Sequence, residues 1–454
     1  MYSFDDTIVA PATPPGTSAI AVIRLSGPQA IYICNKLFTS RNLQEQPTHT
    51  IHFGSLRDNG ELLDEVLVSL FKGPKSFTKE DVIEISCHGS DFVVQKIIRS
   101  LLRHGARLAE PGEFTKRAFL NGQFDLAQAE AIADLIHSDS EATHQAALHQ
   151  MRGGFSKTIA ALRDQFIHFA SLIELELDFG EEDVEFANRS DLKNLVLEIQ
   201  IIISKLIESF KLGNVLKNGV PTVIAGKPNA GKSTLLNALL NEEKAIVSDI
   251  PGTTRDFIED EIHIQGIRFR FIDTAGLRDT NDTVEAIGVA RTKEKLKQAS
   301  LIIYLFDVAT TSVQELEQEL QEIRSLEIPY LLVGNKADKR VSAATASPFP
   351  SETLLLAAAT GAGLDELKKA LLEKIHVGEY KKTDTLVTNI RHYENLRLTQ
   401  ESLDQVTTGL SNGTTGDLLA MDIRQALHYL GVITGEITSD DLLANIFSRF
   451  CIGK

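Results

Sequence analysis

The chain has 454 residues, too long for one ordinary domain, and the length alone suggests about three. Its composition, 43% hydrophobic and 24% charged with no Trp, excludes disordered and fibrous classes. A net charge of −16, from 46 basic and 62 acidic residues, opposes non-specific attraction to a polyanion, so a nucleic-acid substrate must be met locally or through a partner.

The opening run MYSFDDTIVAPATPP lacks the basic segment and apolar stretch of a leader, and no apolar run approaches bilayer-spanning length; the expectation is neither secretion nor membrane insertion. Residues 1–120 alternate strand-like runs (Ala19–Arg24, Leu67–Phe71, Val82–Ser86) with turn clusters at Pro14-Pro15-Gly16 and Gly73-Pro74, which predicts an α+β domain. From Asp125 the pattern turns helical: DLAQAEAIADLI places Leu126, Ile132, Leu135 and Ile136 at helix-compatible spacings, and further helices are expected over about 143–177 and 190–212. Near Gly219 it changes again, to apolar runs at Thr222–Ala225, Arg268–Ile272, Leu301–Phe306, Tyr330–Val333 and Thr353–Leu356 separated by helix-length segments. That is the rhythm of a mostly parallel, doubly wound sheet. Beyond about residue 377 the chain reads as helical, apart from a loop at 411–417. An α/β unit over 217–376 between helical segments 121–216 and 377–454 suggests insertion into a helical domain, since termini of inserted domains are commonly close in space. Cys34, Cys87 and Cys451 form no paired metal-ligand spacing, which favours a reducing cytoplasm over disulfides or zinc.

The strongest chemical signal is Gly226-Lys-Pro-Asn-Ala-Gly231-Lys232-Ser233, which follows an expected strand and opens an expected helix. This is a phosphate-binding loop in its required context: glycines let the backbone wrap the phosphates, N–H groups and the helix N-terminus supply positive potential, Lys232 reaches the outer phosphates, and Ser233 ligates Mg²⁺. Three further motifs follow in order. Asp273-Thr274-Ala275-Gly276 ends the run RFRFI and offers a carboxylate to Mg²⁺ through water and a Gly N–H to the γ-phosphate. Asn335-Lys336-Ala337-Asp338 ends another apolar run, and its Asp can accept the N1–H and 2-amino protons of guanine, a donor pair adenine lacks. Ala357-Ala358-Ala359 stands where such GTPases carry Ser-Ala-Lys. Each tetrapeptide alone is more often a surface turn; the ordered set points to GTP. Leu277 occupies the place of the water-orienting Gln of Ras-like enzymes, so another group must do that work, and Asp279, Asp282 and Glu285 are the candidates.

These residues resemble one family over essentially the whole chain, the MnmE (TrmE) tRNA-modification GTPases. The resemblance rests on DTIVAPATPPGTSAIAVIRLSG, SFTKEDVIEISCHG, PGEFTKRAFLNGQFDLAQAEAIADLI, GKPNAGKST, SDIPGTTRD, DTAGLRDTNDTVEAIG and the terminal TSDDLLANIFSRFCIGK. It implies an N-terminal folate-binding and dimerisation domain, a helical domain made from two chain segments, and an inserted P-loop G domain. It further implies a potassium-activated GTPase whose G domains associate across a homodimer. On that resemblance Asn229, Ser248, Ile250 and Thr253 would bind K⁺, Ser233 and Thr254 Mg²⁺, and Glu285 would be catalytic. GTP contacts would come from Asn229, Ala230, Gly231, Lys232, Ser233 and Thr234, from Ser248, Asp249, Ile250, Pro251, Gly252, Thr253 and Thr254, and from the three downstream motifs.

A reduced folate, 5,10-methylene- or 5-formyl-tetrahydrofolate, would meet Arg24, Glu84, Gln123 and Lys454, with Gln123 departing from the family's usual Lys. Cys451 in the terminal Cys-Ile-Gly-Lys is either a thiolate that attacks a pyrimidine or a small packing residue beside the folate. The implied activity, with the flavoprotein MnmG, is installation of an aminomethyl or carboxymethylaminomethyl group at C5 of the wobble uridine of certain tRNAs. The rival reading is a GTP-dependent switch in ribosome assembly, in which the N-terminal segment has no role.

Overall fold

A computed structural model describes residues 5–178, 189–244, 259–272, 299–339, 348–375 and 385–453. They fall into two compact units, one of Met1–Ile136, His149–Ile199 and Leu398–Lys454, the other of His137–Leu148 and Gln200–Arg397.

The first unit begins with a mixed sheet of β1 (Thr7–Pro11), β2 (Ser18–Ser26), β3 (Thr50–Asp58), β4 (Glu61–Phe71), β5 (Val82–Gly89) and β6 (Ala106–Leu108), ordered β3-β4-β5-β2-β1-β6. Only β1 and β6 pair in parallel. Alternation along the second half of β4 explains the layering: Val66, Val68 and Leu70 are buried with helices α1 (Ala30–Leu37) and α2 (Asp91–Arg103), while Leu67 between them is exposed. Helix α3 (Glu113–Leu120) then delivers Arg117, fully buried, into a cluster with Asp6, Glu80 and Glu113 at 2.7, 3.2 and 2.9 Å. The ion pairs are what make burial of a guanidinium tolerable.

Helix α4 (Leu126–Ile136) forms where the helical period places it. Leu126, Ala127, Ala129 and Ala131 are buried, whereas Ile136 is exposed. The small alanine face allows close approach to Leu443, Phe447 and Phe450, which pack with Leu126 and Ala129. The helix expected over 143–177 is two, α5 (Glu141–Met151) and α6 (Gly154–Asp178), broken at Gly153 with φ +80°, a left-handed conformation that favours glycine. Helix α7 (Arg189–Asn218) runs one and a half turns beyond its expected end.

The second unit holds a sheet of β7 (Val220–Ala225), β8 (Glu259–Ile264), β9 (Ile267–Ile272), β10 (Leu301–Asp307), β11 (Tyr330–Asn335) and β12 (Leu354–Leu355), ordered β12-β11-β10-β7-β9-β8. All pairs are parallel except β8 with β9. Burial on both faces makes β10 a continuous apolar run: Leu301, Ile303 and Leu305 enter one cluster, Ile302, Tyr304 and Phe306 the other. The β8 strand was not anticipated, because Glu259, Asp260 and Glu261 give an edge strand the look of a loop. Among the described residues, helices α8 (Lys232–Lys244), α9 (Val313–Arg324) and α10 (Leu364–Lys374) follow β7, β10 and β12 in turn.

Helix α11 (Ile390–Asn412) reaches into the loop expected at 411–417, leaving only three residues before α12 (Gly416–Thr434). Gly413 at φ +67° makes the turn. Helix α12 packs on α6, with Arg163 paired to Glu436, and α13 (Asp440–Phe447) ends the chain's regular structure. Among the described residues, no helix is long and apolar enough to cross a membrane.

Candidate functional site

In a doubly wound sheet, ligands bind beyond the carboxyl ends of parallel strands where the order of connection reverses. Here β7 lies between β9 and β10: the chain passes from β7 to the β8–β9 side and then crosses to β10 on the other, so the switch point lies beside β7, whose end feeds residues 226–233. Local conformation explains the residue types. Gly226 has φ +144°, and a Cβ there would lie 1.9 Å from the Leu305 carbonyl oxygen; Gly231 has φ +95°, and its Cβ would lie 2.3 Å from Asn335 Nδ2. Asn229 also takes a left-handed φ of +62°, which Asn tolerates better than most residues. The loop thus needs its glycines for both backbone conformation and space.

Lys232 folds back over the loop, its Nζ donating to the carbonyls of Gly226 at 2.8 Å and Lys227 at 2.9 Å. Burial lowers the pKa of this ammonium, so an arriving anion restores a favourable setting for its charge. Lys232 begins α8, and the first-turn N–H groups of a helix have no intrahelical acceptors. Ammonium, N–H groups without intrahelical acceptors and helix dipole together fit a polyphosphate, and half-buried Ser233 in that first turn presents a hydroxyl, a group able to ligate a divalent cation.

The base motif comes to the same place. Asn335 is 2% exposed; its Nδ2 donates to the Ala230 carbonyl at 2.8 Å, and its Oδ1 accepts from the Ala358 N–H at 3.0 Å. One buried carboxamide therefore joins the phosphate loop, the end of β11 and the 357–359 segment. Lys336 donates to the Asn229 carbonyl at 2.8 Å and to Asp307 Oδ2 at 2.7 Å. Asp338 stands exposed in the single turn Ala337–Lys339, held by an N–H of Ala337 on the Leu356 carbonyl at 3.1 Å. Ala357 and Ala358 are buried and Ala359 is exposed; Thr234 is exposed. Asp307 escaped sequence analysis because a carboxylate at the end of LIIYLFD looks like ordinary solvation, though its place at a strand's carboxyl end was a usable signal. Ser248, Asp249, Ile250, Pro251, Gly252, Thr253, Thr254, Asp273, Thr274, Ala275, Gly276 and Glu285 lie outside the described residues, as does Lys454.

In the first unit, register makes Arg24 of β2 and Glu84 of β5 direct cross-strand neighbours. Arg24 Nε donates to Glu84 Oε1 at 2.9 Å, and its guanidinium lies over the rings of Phe77 and Phe114 at 5.6 and 5.8 Å. The chain's end meets this pair: Arg24 Nη1 donates to the Gly453 carbonyl at 3.2 Å, while the Gly112 N–H donates to the Cys451 carbonyl at 3.4 Å. Gly453, at φ +95°, has no room for a Cβ, which would lie 2.1 Å from the Pro11 oxygen. A guanidinium and a carboxylate suit a ligand that carries amide-type donors and acidic groups; Phe114 is fully buried and backs the guanidinium from the core. Cys451 is exposed. Gln123 is exposed too, in the turn after α3, its N–H on the Ala118 carbonyl and its side chain not hydrogen-bonded to the Arg24–Glu84 pair.

A family model described as GTP-binding protein TrmE N-terminus matches residues 7–123, and one described as MnmE helical domain matches residues 126–451. Among curated proteins, the tRNA modification GTPase MnmE of Cytophaga hutchinsonii is 63% identical over 450 residues, covering 99% of this chain and 98% of that protein. The proteins of that name from Christiangramia forsetii and Bacteroides thetaiotaomicron are 52% and 49% identical, each alignment covering 99% of both chains. Among solved structures, the FeoB G-domain from Methanococcus jannaschii aligns to 35% of this chain and 97% of its own, at 23% identity and a TM-score of 0.27.

Proposed function

The chain belongs to the MnmE family of tRNA modification GTPases, and on that premise we propose that it is a potassium-activated GTPase that works with the flavoprotein MnmG at C5 of the tRNA wobble uridine. GTP hydrolysis in tRNA modification is the activity its whole-length relatives carry in their names. The observation that carries the reading is the joint at Asn335, which brings a phosphate loop and a guanine motif into one site.

In this reading the G domain spans 217–376 between helical segments 121–216 and 377–454, with a folate-binding and dimerisation domain at 1–120. Support comes from the MnmE helical-domain match, whose range of 126–451 encloses the phosphate loop. Asn229, Ser248, Ile250 and Thr253 hold K⁺, Ser233 and Thr254 hold Mg²⁺, and Glu285 orients the attacking water. Bound there, the cations would supply positive charge to offset what develops on the phosphates during hydrolysis. GTP turnover drives a conformational cycle, while the carbon arrives on a reduced folate held at Arg24, Glu84 and Lys454. The setting is a cytoplasmic homodimer. A reconstituted mixture of this chain, MnmG, tRNA, GTP, methylene-tetrahydrofolate and ammonium in potassium buffer should yield C5-modified uridine. Equal yield without GTP would overturn the coupling of the two activities.

A further inference from the structure

We infer that Asp307 is a positioning residue for guanine-nucleotide binding, setting the Lys336 ammonium that ties the base motif to the phosphate loop. This rests on the reading of residues 226–234 and 335–338 as the nucleotide site.

The geometry is a short chain of fixed groups. Asp307 closes β10 opposite Asn335, the last residue of β11, so the two strands end in register. The turn after Asp307 is locked: its Oδ1 accepts from the Ala309 N–H at 2.9 Å, and its main-chain carbonyl accepts from Thr310 and Thr311 at 3.3 and 3.0 Å. From the opposite side the Val308 N–H donates to the Asn335 carbonyl at 3.1 Å. The free carboxylate oxygen, Oδ2, then takes the Lys336 Nζ at 2.7 Å, and that nitrogen reaches the Asn229 carbonyl at 2.8 Å. Lys336 and Asn229 both adopt φ +62°, a left-handed conformation uncommon for residues other than glycine. The Asp307 side chain is 13% exposed and that of Lys336 27%. Solvent therefore screens the pair less than a surface ion pair. Partial burial opposes ionisation of Asp307, yet the Lys336 ammonium and the Ala309 N–H prevail and hold its carboxyl below the ordinary value.

Without the carboxylate, the Lys336 ammonium gains more from water than from one carbonyl, and Asn229 loses its tether. Nucleotide binding must then order the loop at its own expense. GTP and GDP are affected alike, because the tether acts before any transition state forms, and such a loss of uniform binding raises KM without lowering kcat. The plainer role is a strand-end cap made only through Oδ1 and Ala309. Asp307→Asn separates the two, since its amide oxygen still accepts from Ala309 while the charge facing Lys336 is gone.

The experiment measures GTP and GDP affinity and steady-state hydrolysis for wild type, Asp307→Asn, Lys336→Met and the double variant of the full chain. Asp307→Asn should weaken both nucleotides about tenfold with kcat retained, and in the Lys336→Met background it should add no further loss. Affinity within about twofold of wild type, or losses that simply multiply in the double variant, would overturn the assignment. Asp307→Ser, whose hydroxyl also accepts from Ala309, supplies the same comparison if the asparagine variant misfolds. Failure of the wild type to bind either nucleotide would instead overturn the site reading beneath it.

Discussion

Asn335 Nδ2 donates to the Ala230 carbonyl at 2.8 Å across 105 residues of chain, in the buried interior of the second unit. Since Oδ1 of the same side chain receives the Ala358 N–H, Asn335→Ala strands two backbone groups at once. Leaving buried polar groups unpaired costs about 1–3 kcal/mol each. We expect a lowered urea midpoint together with weakened GTP binding. Unchanged stability and binding would mean that water replaces the carboxamide without loss, and the joint would have no energetic weight.

Asp338 differs in being exposed, in the turn that follows the buried Asn335. Asp338→Asn should leave the melting temperature near wild type, weaken GTP by about 1.5–3 kcal/mol, and relax discrimination against xanthosine nucleotides. The mismatch arises because an amide presents one acceptor and one donor to guanine's two donors. Competition between GTP and XTP in a hydrolysis assay reads the change, and unaltered base selectivity would count against the guanine role.

Potassium should raise GTP turnover several-fold over sodium at equal ionic strength, and Asn229→Ala should abolish the difference. Asn229 is exposed at φ +62° and its contact with Lys336 runs through the main-chain carbonyl, so the alanine variant removes the carboxamide while that contact can persist. Equal wild-type rates in the two salts would remove the potassium assignment.

Cys451→Ser distinguishes chemistry from packing at the chain's end. The contact that fixes Cys451 to Gly112 uses its main-chain carbonyl, which serine keeps. If the thiol attacks uridine, the less acidic hydroxyl abolishes modification while GTP hydrolysis and folate binding persist. Substantial modification by the serine variant would exclude an obligatory cysteine nucleophile.

What the sequence made legible follows from which physical demands a residue type can signal by itself. Gly226 and Gly231 announce a phosphate loop because no other residue fits their backbone and their space, and β10 and β11 announce themselves because burial on both faces makes Leu301–Phe306 and Tyr330–Val333 continuous apolar runs ahead of their polar ends. Family resemblance, not residue chemistry, pointed to Arg24 and Glu84: their pairing depends on the register of strands 60 residues apart, which local pattern does not encode. Acidic β8 and the break at Gly153 were missed for the opposite reasons, a strand disguised by charge and a helix pattern that continues through its own interruption. Asp307 shows the same limit, since only the folded positions of Lys336 and Asn229 give its carboxylate a task.

The most direct test of the account is the quantity of C5-modified wobble uridine in tRNA from a deletion strain, measured by mass spectrometry after complementation with wild type or Lys232→Ala. Lys232 holds the phosphate loop through Gly226 and Lys227, so its loss removes nucleotide binding without touching the Arg24–Glu84 site. The account predicts that the deletion strain lacks the modification, that wild type restores it and that Lys232→Ala does not. Normal modification in the deletion strain, or full restoration by Lys232→Ala, would contradict it.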